Sequence, residues 1–240
     1  VSRKQRVDQQ SVFVLHSYPW RETSLIVEVL SRDHGRVPLV AKGARRPYST
    51  LRGVLMGFQP LLADWSGGGE VKTLIRAEWQ GGQPLLTGRP LLCGYYLNEL
   101  IMRLTAREDP HPELFDVYAH ALSELADGRM PAIVLRRFEL ALMRHLGYAL
   151  ELEREGDSGK PLRPDVEYIY RAEGGPVPAD KGAGAGDLIS GATLLDMARD
   201  CFDSPRTQAQ SKVLLRWLIS RHLGDKPLQS RRVLKELQEL

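Results

Sequence analysis

The chain has 240 residues, 42% of them hydrophobic and 26% charged, and a net charge of +3. That balance is neither that of a disordered nor of a membranous chain, and no apolar run approaches the roughly 18 residues that a spanning helix needs. At this length two folding units with separate cores are expected. The N-terminal VSRKQRVDQQ is cationic but no apolar segment follows it, so it does not read as a secretory signal and a cytoplasmic location is expected. Cys93 and Cys201 lie far apart and outside any CxxC pair, which fits reduced thiols rather than a disulfide framework or a structural zinc.

Charge is unevenly placed. Residues 1–82 carry twelve Lys or Arg against seven acids, whereas residues 151–189 carry five against nine. From Val12 to Trp79 the pattern is of short β-rich stretches between turn residues: VFVLHSY, TSLIVEVLS, GRVPLVAKG, FQPLLADW and EVKTLIRAEW. Alternation at Leu25, Val27, Val29 and at Val71, Thr73, Ile75 is that of strands with one buried face. Ser66-Gly67-Gly68-Gly69 and Asp33-His34-Gly35 supply hairpin turns. Five strands in so short a segment close into a barrel, which removes exposed edges, and the OB-fold is the expected form.

Gly81-Gly82-Gln83-Pro84 ends the strand pattern and marks a boundary between residues 1–82, an OB-fold nucleic-acid-binding domain, and residues 83–240, a mostly helical domain. The expected class is therefore α+β. Leu91, Leu92, Tyr95, Tyr96, Asn98, Glu99, Leu100 and Leu104 place one apolar face on a first helix, and Glu113 to Ala126 form a second after Pro112. A third starts at Pro131, carries Ile133, Leu135, Phe138, Leu142 and Leu146, and stops at Gly147. These three are expected to pack together. Residues 151–189 are acidic and rich in Gly and Pro, with one strand-like piece at Glu167 to Arg171, and read as an irregular insert. Gly182 to Gly186 reads as a flexible linker rather than a dinucleotide loop. Helix returns at Gly191 to Cys201 and Pro205 to His222, with Val213, Leu214, Trp217, Leu218 and Ile219 as an apolar stripe, and a short helix follows.

The segment with the clearest functional chemistry runs from Gly35 to Arg52. No acid occurs between His34 and Ala63, while Arg36, Lys42, Arg45, Arg46 and Arg52 all fall there. Uncompensated cations bind phosphates through counterion release, and OB barrels hold single strands in the groove beside their central strands. The alternative is a solvated basic loop. Tyr48, among these charges, is placed to stack on a base. Lys72 and Arg76 either extend the basic face or face water. Trp20, Trp65 and Trp79 sit at strand ends, where large aromatics fill a barrel's ends more often than they meet ligands.

No catalytic pattern stands out in the sequence. Gly159-Lys160 precedes Pro161 and lacks the earlier glycine of a phosphate loop. The histidines show no metal-ligand spacing, and the acids form no cluster that would hold paired Mg²⁺. No catalytic residue, metal or cofactor is expected. In the third helix Arg136 and Arg137 stand beside Phe138, Leu140 and Leu142, a mixture that suits an acidic, hydrophobic peptide or an ordinary amphipathic helix.

FVLHSYPWRETSLIVEVLSRDHGRVPLVAKGARRPYSTLRG resembles the opening of the RecO family of bacterial recombination mediators. GEVKTLIRAE at Gly69 to Glu78, GYYLNELIMRL at Gly94 to Leu104, LRRFELALMRHLGY at Leu135 to Tyr148 and HLGDKPLQSRRVL at His222 to Leu234 resemble further blocks in the family's order. The resemblance implies an OB-fold and a helical domain, binding of single- and double-stranded DNA, annealing of complementary strands, and no enzyme activity. It implies two protein partners, RecR and the acidic C-terminal tail of the single-stranded DNA-binding protein. The tail would dock on the helical domain at Arg136, Arg137 and Leu140, and the protein, in the bacterial nucleoid, would help load RecA on coated strands. Where many members carry a four-cysteine zinc element, this chain has LELEREGDSGK, so it resembles a zinc-free branch. The rival reading is a DNA-processing enzyme, a nuclease or a nucleotide-dependent remodeller, that uses the barrel only to hold substrate.

Overall fold

A computed structural model describes residues 6–179, 188–224 and 227–238. Five strands, β1 (Arg6–Trp20), β2 (Ser24–Ser31), β3 (Gly35–Ala41), β4 (Leu61–Ser66) and β5 (Lys72–Trp79), close into a barrel in the order β1-β2-β3-β5-β4. The β3–β5 pairing is parallel and the others antiparallel, and a single helical turn, α1 (Leu51–Val54), leads from β3 toward β4. This is the expected OB-type barrel followed by helices. Val12, Val14, Val27, Val29, Val37, Leu39, Leu61, Trp65 and Leu74 fill the interior. Each such aliphatic side chain contributes about 1.5–3 kcal/mol when removed from water. Trp65 does fill the barrel, whereas Trp20 and Trp79 remain substantially exposed. On β5 the alternation is real but faces the other way, because Val71 and Ile75 are exposed and Leu74 points inward.

On β1 and β2 both faces are buried, which is why VFVL and VEVL are nearly unbroken apolar runs. Phe13, Leu15 and Leu30 point out of the barrel and are buried. Phe13 lies 5.3 Å from Phe115 and 5.2 Å from Tyr118, ring centre to ring centre, on α3 (Pro112–Ala126). α2 (Gly88–Leu104) packs on β1 and α3, and its Asn98 Nδ2 donates to the Leu15 carbonyl at 2.8 Å. The Tyr118 hydroxyl donates to Asn98 Oδ1 at 2.6 Å. Burial pushes the Tyr118 pKa up, which keeps that donor protonated. The last helix, α7 (Gln229–Gln238), also packs on α2. The Glu99 carboxylate on α2 accepts the backbone N–H groups of Gln229 at 2.8 Å and Ser230 at 2.9 Å, so one helix caps the start of another.

The chain divides into two compact units. One holds the barrel, α2, α3 and α7; the other spans 130–226. The second contains α4 (Pro131–His145), α5 (Gly191–Ala198) and α6 (Pro205–Leu223), and α4 packs on α6. The expected bundle of three consecutive helices is thus not the arrangement found: α2 and α3 cover the barrel, and α4 finds its partner later in the chain. The insert, expected to be irregular with one strand, instead forms a three-stranded antiparallel sheet. Its central strand β6 (Glu167–Arg171) lies between β7 (Gly175–Pro178) and β8 (Leu188–Ser190).

The cysteine-free 151–162 segment is folded by the backbone. Glu155 N–H donates to Lys160 O at 2.8 Å, Leu162 N–H to Glu153 O at 2.9 Å and Gly156 N–H to Pro176 O at 2.9 Å. A Cβ at Gly156 would lie 1.4 Å from the Gly174 carbonyl oxygen, so only glycine lets these backbones meet. Buried Tyr168 accepts the Arg163 N–H at 3.0 Å beneath. The 182–186 stretch read as a linker lies outside the described residues. Among the described residues no helix is long and apolar enough to cross a membrane.

Candidate nucleic-acid interface

β3 ends at Ala41, and the chain then runs over one end of the barrel as a chain of hydrogen-bonded turns. Arg46 N–H donates to Gly43 O, Ser49 N–H to Arg46 O and Arg52 N–H to Ser49 O, at 3.0–3.2 Å. Ala44, Leu51, Val54 and Leu55 turn inward and pack on the barrel core. The polar residues between them are pushed outward: Lys42, Arg45, Arg46 and Arg52 are exposed, and Tyr48 is 99% exposed. None of these four cations makes an ion pair with another described residue. Their charge therefore stands uncompensated at the surface.

The β1–β2 turn belongs to the same end. Arg45 N–H donates to Thr23 O at 2.8 Å, and its guanidinium donates to the carbonyls of Arg21 at 3.4 Å and Glu22 at 3.3 Å. Beside it Trp20 is 43% exposed, with the Arg21 guanidinium 5.9 Å from the ring centre. Tyr18 is exposed as well and packs on His16 at 4.4 Å between ring centres. Arg21 and Tyr18 lie outside the acid-free stretch, and Trp20, at a strand end, reads in the sequence as a packing residue. The available signal was WRET, an aromatic next to a cation at a hairpin tip. Four loop cations, Arg21, Tyr48 and Trp20 together make a basic surface with aromatic faces. Glu22 is the acid nearest to it in sequence.

The remaining three barrel residues are placed differently. Arg36 opens β3 at its far end and donates to Glu28 Oε1 at 3.1 Å and to the Thr105 carbonyl at 2.9 Å. Glu28 is completely buried and also accepts two hydrogen bonds from Arg107, at 3.0 and 3.1 Å. Burial pulls the Arg36 pKa down, opposed by Glu28, while the Arg107 pKa is raised, chiefly by its hydrogen bonds to Glu28. Lys72 pairs with Glu108 and Arg76 with Glu78. The structure thus brings Lys42, Arg45, Arg46, Tyr48 and Arg52 together and holds Arg36, Lys72 and Arg76 in internal pairs.

In the second unit, Arg136 is buried and donates to buried Glu139 Oε1 at 2.7 Å. Leu140 is buried too, and half-exposed Arg137 pairs with Asp200 at 2.9 Å. Among the described residues no group of three or more His, Cys, Asp or Glu stands together in a way that would hold a metal ion.

Family models cover nearly the whole chain. The model described as recombination protein O N terminal matches residues 7–82, and that described as recombination protein O C terminal matches residues 86–232. The DNA repair protein RecO of Aromatoleum aromaticum is 66% identical over all of both chains. The proteins of the same name from Azoarcus sp. and Dechloromonas aromatica are 65% and 53% identical, each over 99% of both chains. Matched in both parts by the family's own models, and by relatives along its full length, the chain belongs to the recombination protein O (RecO) family.

Proposed function

We propose that the protein serves DNA repair as a recombination mediator that works by binding rather than by bond cleavage. The observation that carries this reading is the unpaired cation cluster of Lys42, Arg45, Arg46 and Arg52 at the barrel end, with Tyr48 and Trp20 exposed beside it. Phosphates neutralise the cations, and the aromatic faces take unstacked bases, so single strands are held along the backbone without regard to sequence. Duplex DNA offers the same phosphates and binds through the cations alone. Two strands captured in this way anneal where they are complementary.

Family membership supports the partners: RecR, with which the protein would load RecA, and the acidic C-terminal tail of the single-stranded DNA-binding protein. In the second unit Arg137 is the member of the Arg136, Arg137 and Leu140 group that reaches solvent, so an arriving carboxylate would exchange with Asp200 there. The deciding experiment is annealing of strands coated by their cognate binding protein, alongside direct binding to naked oligonucleotides. Arg45→Glu combined with Arg46→Glu is expected to abolish annealing and to flatten the log–log salt dependence of single-strand binding by about 1.4. Unchanged affinity and slope would remove the barrel end from the reading. Labelled DNA incubated with Mg²⁺ and ATP is expected to stay intact.

A further inference from the structure

We propose that the exposed face of α6, in the second unit, is a separate binding site for single-stranded nucleic acid. The helix buries Thr207, Ser211, Leu214, Leu215, Leu218 and Ile219 on one side. Its other side carries two adjacent rows at four-residue spacing. Lys212, Arg216 and Ser220 form one row, and Val213, Trp217 and Arg221 form the other; all six are exposed. Trp217 is 38% exposed and Val213 45%, although the apolar stripe in the sequence assigns both to a core.

Charge and geometry converge on the same ligand. No acid occurs from Ser204 to Gly224, and neither Lys212, Arg216 nor Arg221 makes an ion pair with a described residue. The Arg221 guanidinium lies over the Trp217 ring, 5.7 Å from its centre, and adds positive charge beside the indole. At the end of the helix His222 lies against half-exposed Tyr148 with ring centres 3.9 Å apart. Residues four apart on a helix are separated by about 6 Å, close to the step of one nucleotide in a single strand. A row of cations beside a row with a partly exposed aromatic side chain matches a polymer with phosphates on one side and unstacked bases on the other. Duplex DNA would use the cations and leave Trp217 without a stacking partner.

This inference shares only its ligand class with the barrel reading, and the test separates the two. Single-strand binding by the full chain would be followed with labelled oligothymidylate, with thermal melting as a check on folding. Arg216→Glu with Arg221→Glu is expected to weaken binding about tenfold and flatten the salt slope by about 1.4. Trp217→Ala is expected to weaken single-strand binding at least fivefold, with the slope and the duplex affinity unchanged, and Trp217→Phe to restore most of it. Placed in the Arg45→Glu, Arg46→Glu background, the α6 changes should remove the binding that remains.

Parental oligothymidylate binding by every α6 variant would overturn the α6 site and leave the barrel reading standing. Equal loss of duplex and single-strand binding by Trp217→Ala would also overturn it. So would loss of polyglutamate binding, or of self-association, with oligothymidylate binding unchanged, because the face would then serve an acidic peptide or a second copy.

Discussion

Arg36 and Arg45 lie on one acid-free stretch of sequence and end in different environments. Arg45 has backbone carbonyls for partners and keeps its charge at the surface, whereas Arg36 neutralises Glu28, which has no exposure. Nothing local in the sequence separates the two, because Glu28 reaches Arg36 only through the β2–β3 pairing and Arg107 only through the α2–α3 connection. Arg36→Ala strips one of two cations from a buried carboxylate and is expected to cost about 3 kcal/mol. Urea denaturation should show the loss, while the salt slope of DNA binding stays at the parental value. A flattened slope would instead place Arg36 on phosphate. The exposed cluster was legible in the sequence because an acid-free run has no local partner to quench it. Trp20 was not, since an aromatic at a strand end reads the same way whether it plugs the barrel or crowns it.

For the elements, legibility followed periodicity. Five strands and the long helices each carry enough repeats to declare themselves, and they lie where the sequence puts them. β7 and β8 did not: one is GPVP, two prolines in four residues, and the other is three residues long, and both are strands only because β6 lies between them. Helix partners were likewise hidden, since an apolar stripe shows that a face is buried but not against what. A polar relay links α3 through α2 to β1, from Tyr118 to Asn98 to the Leu15 carbonyl. Asn98→Leu removes the acceptor of the Tyr118 hydroxyl and the side-chain donor to the Leu15 carbonyl together, and is expected to cost about 3 kcal/mol. Adding Tyr118→Phe should recover part of that loss, because the hydroxyl that lost its hydrogen bond to Asn98 is removed with it. Additive losses in a double-mutant cycle of thermal melts would show that the two side chains do not act as a relay.

Over the whole molecule, the boundary in the family models, between residues 82 and 86, and the boundary between compact units, at 129–130, do not coincide. The first follows the change from strands to helices; the second follows packing, because the outer face of β1 and β2 is apolar and needs α2 and α3 to cover it. The final helix belongs to this unit as well, held by Glu99 at its first turn and by Arg231 against the Tyr96 hydroxyl at 3.1 Å. A chain ending after Gly224 is therefore expected to lose amide-exchange protection in α2 more than in α4 or α6, although the residues removed follow α6 in sequence. Protection lost mainly from α6 would contradict this.

The same return of the chain bears on how the protein is made. A ribosome releases residues from the N-terminus, and domains ordinarily fold as they emerge. Here the strands of the barrel come first, yet the helix that completes their unit comes last, after the whole second unit has been synthesised. The packing of α7 on α2 can form only after α7 leaves the exit tunnel, so a nascent chain is expected to expose its cations on a scaffold still without that helix.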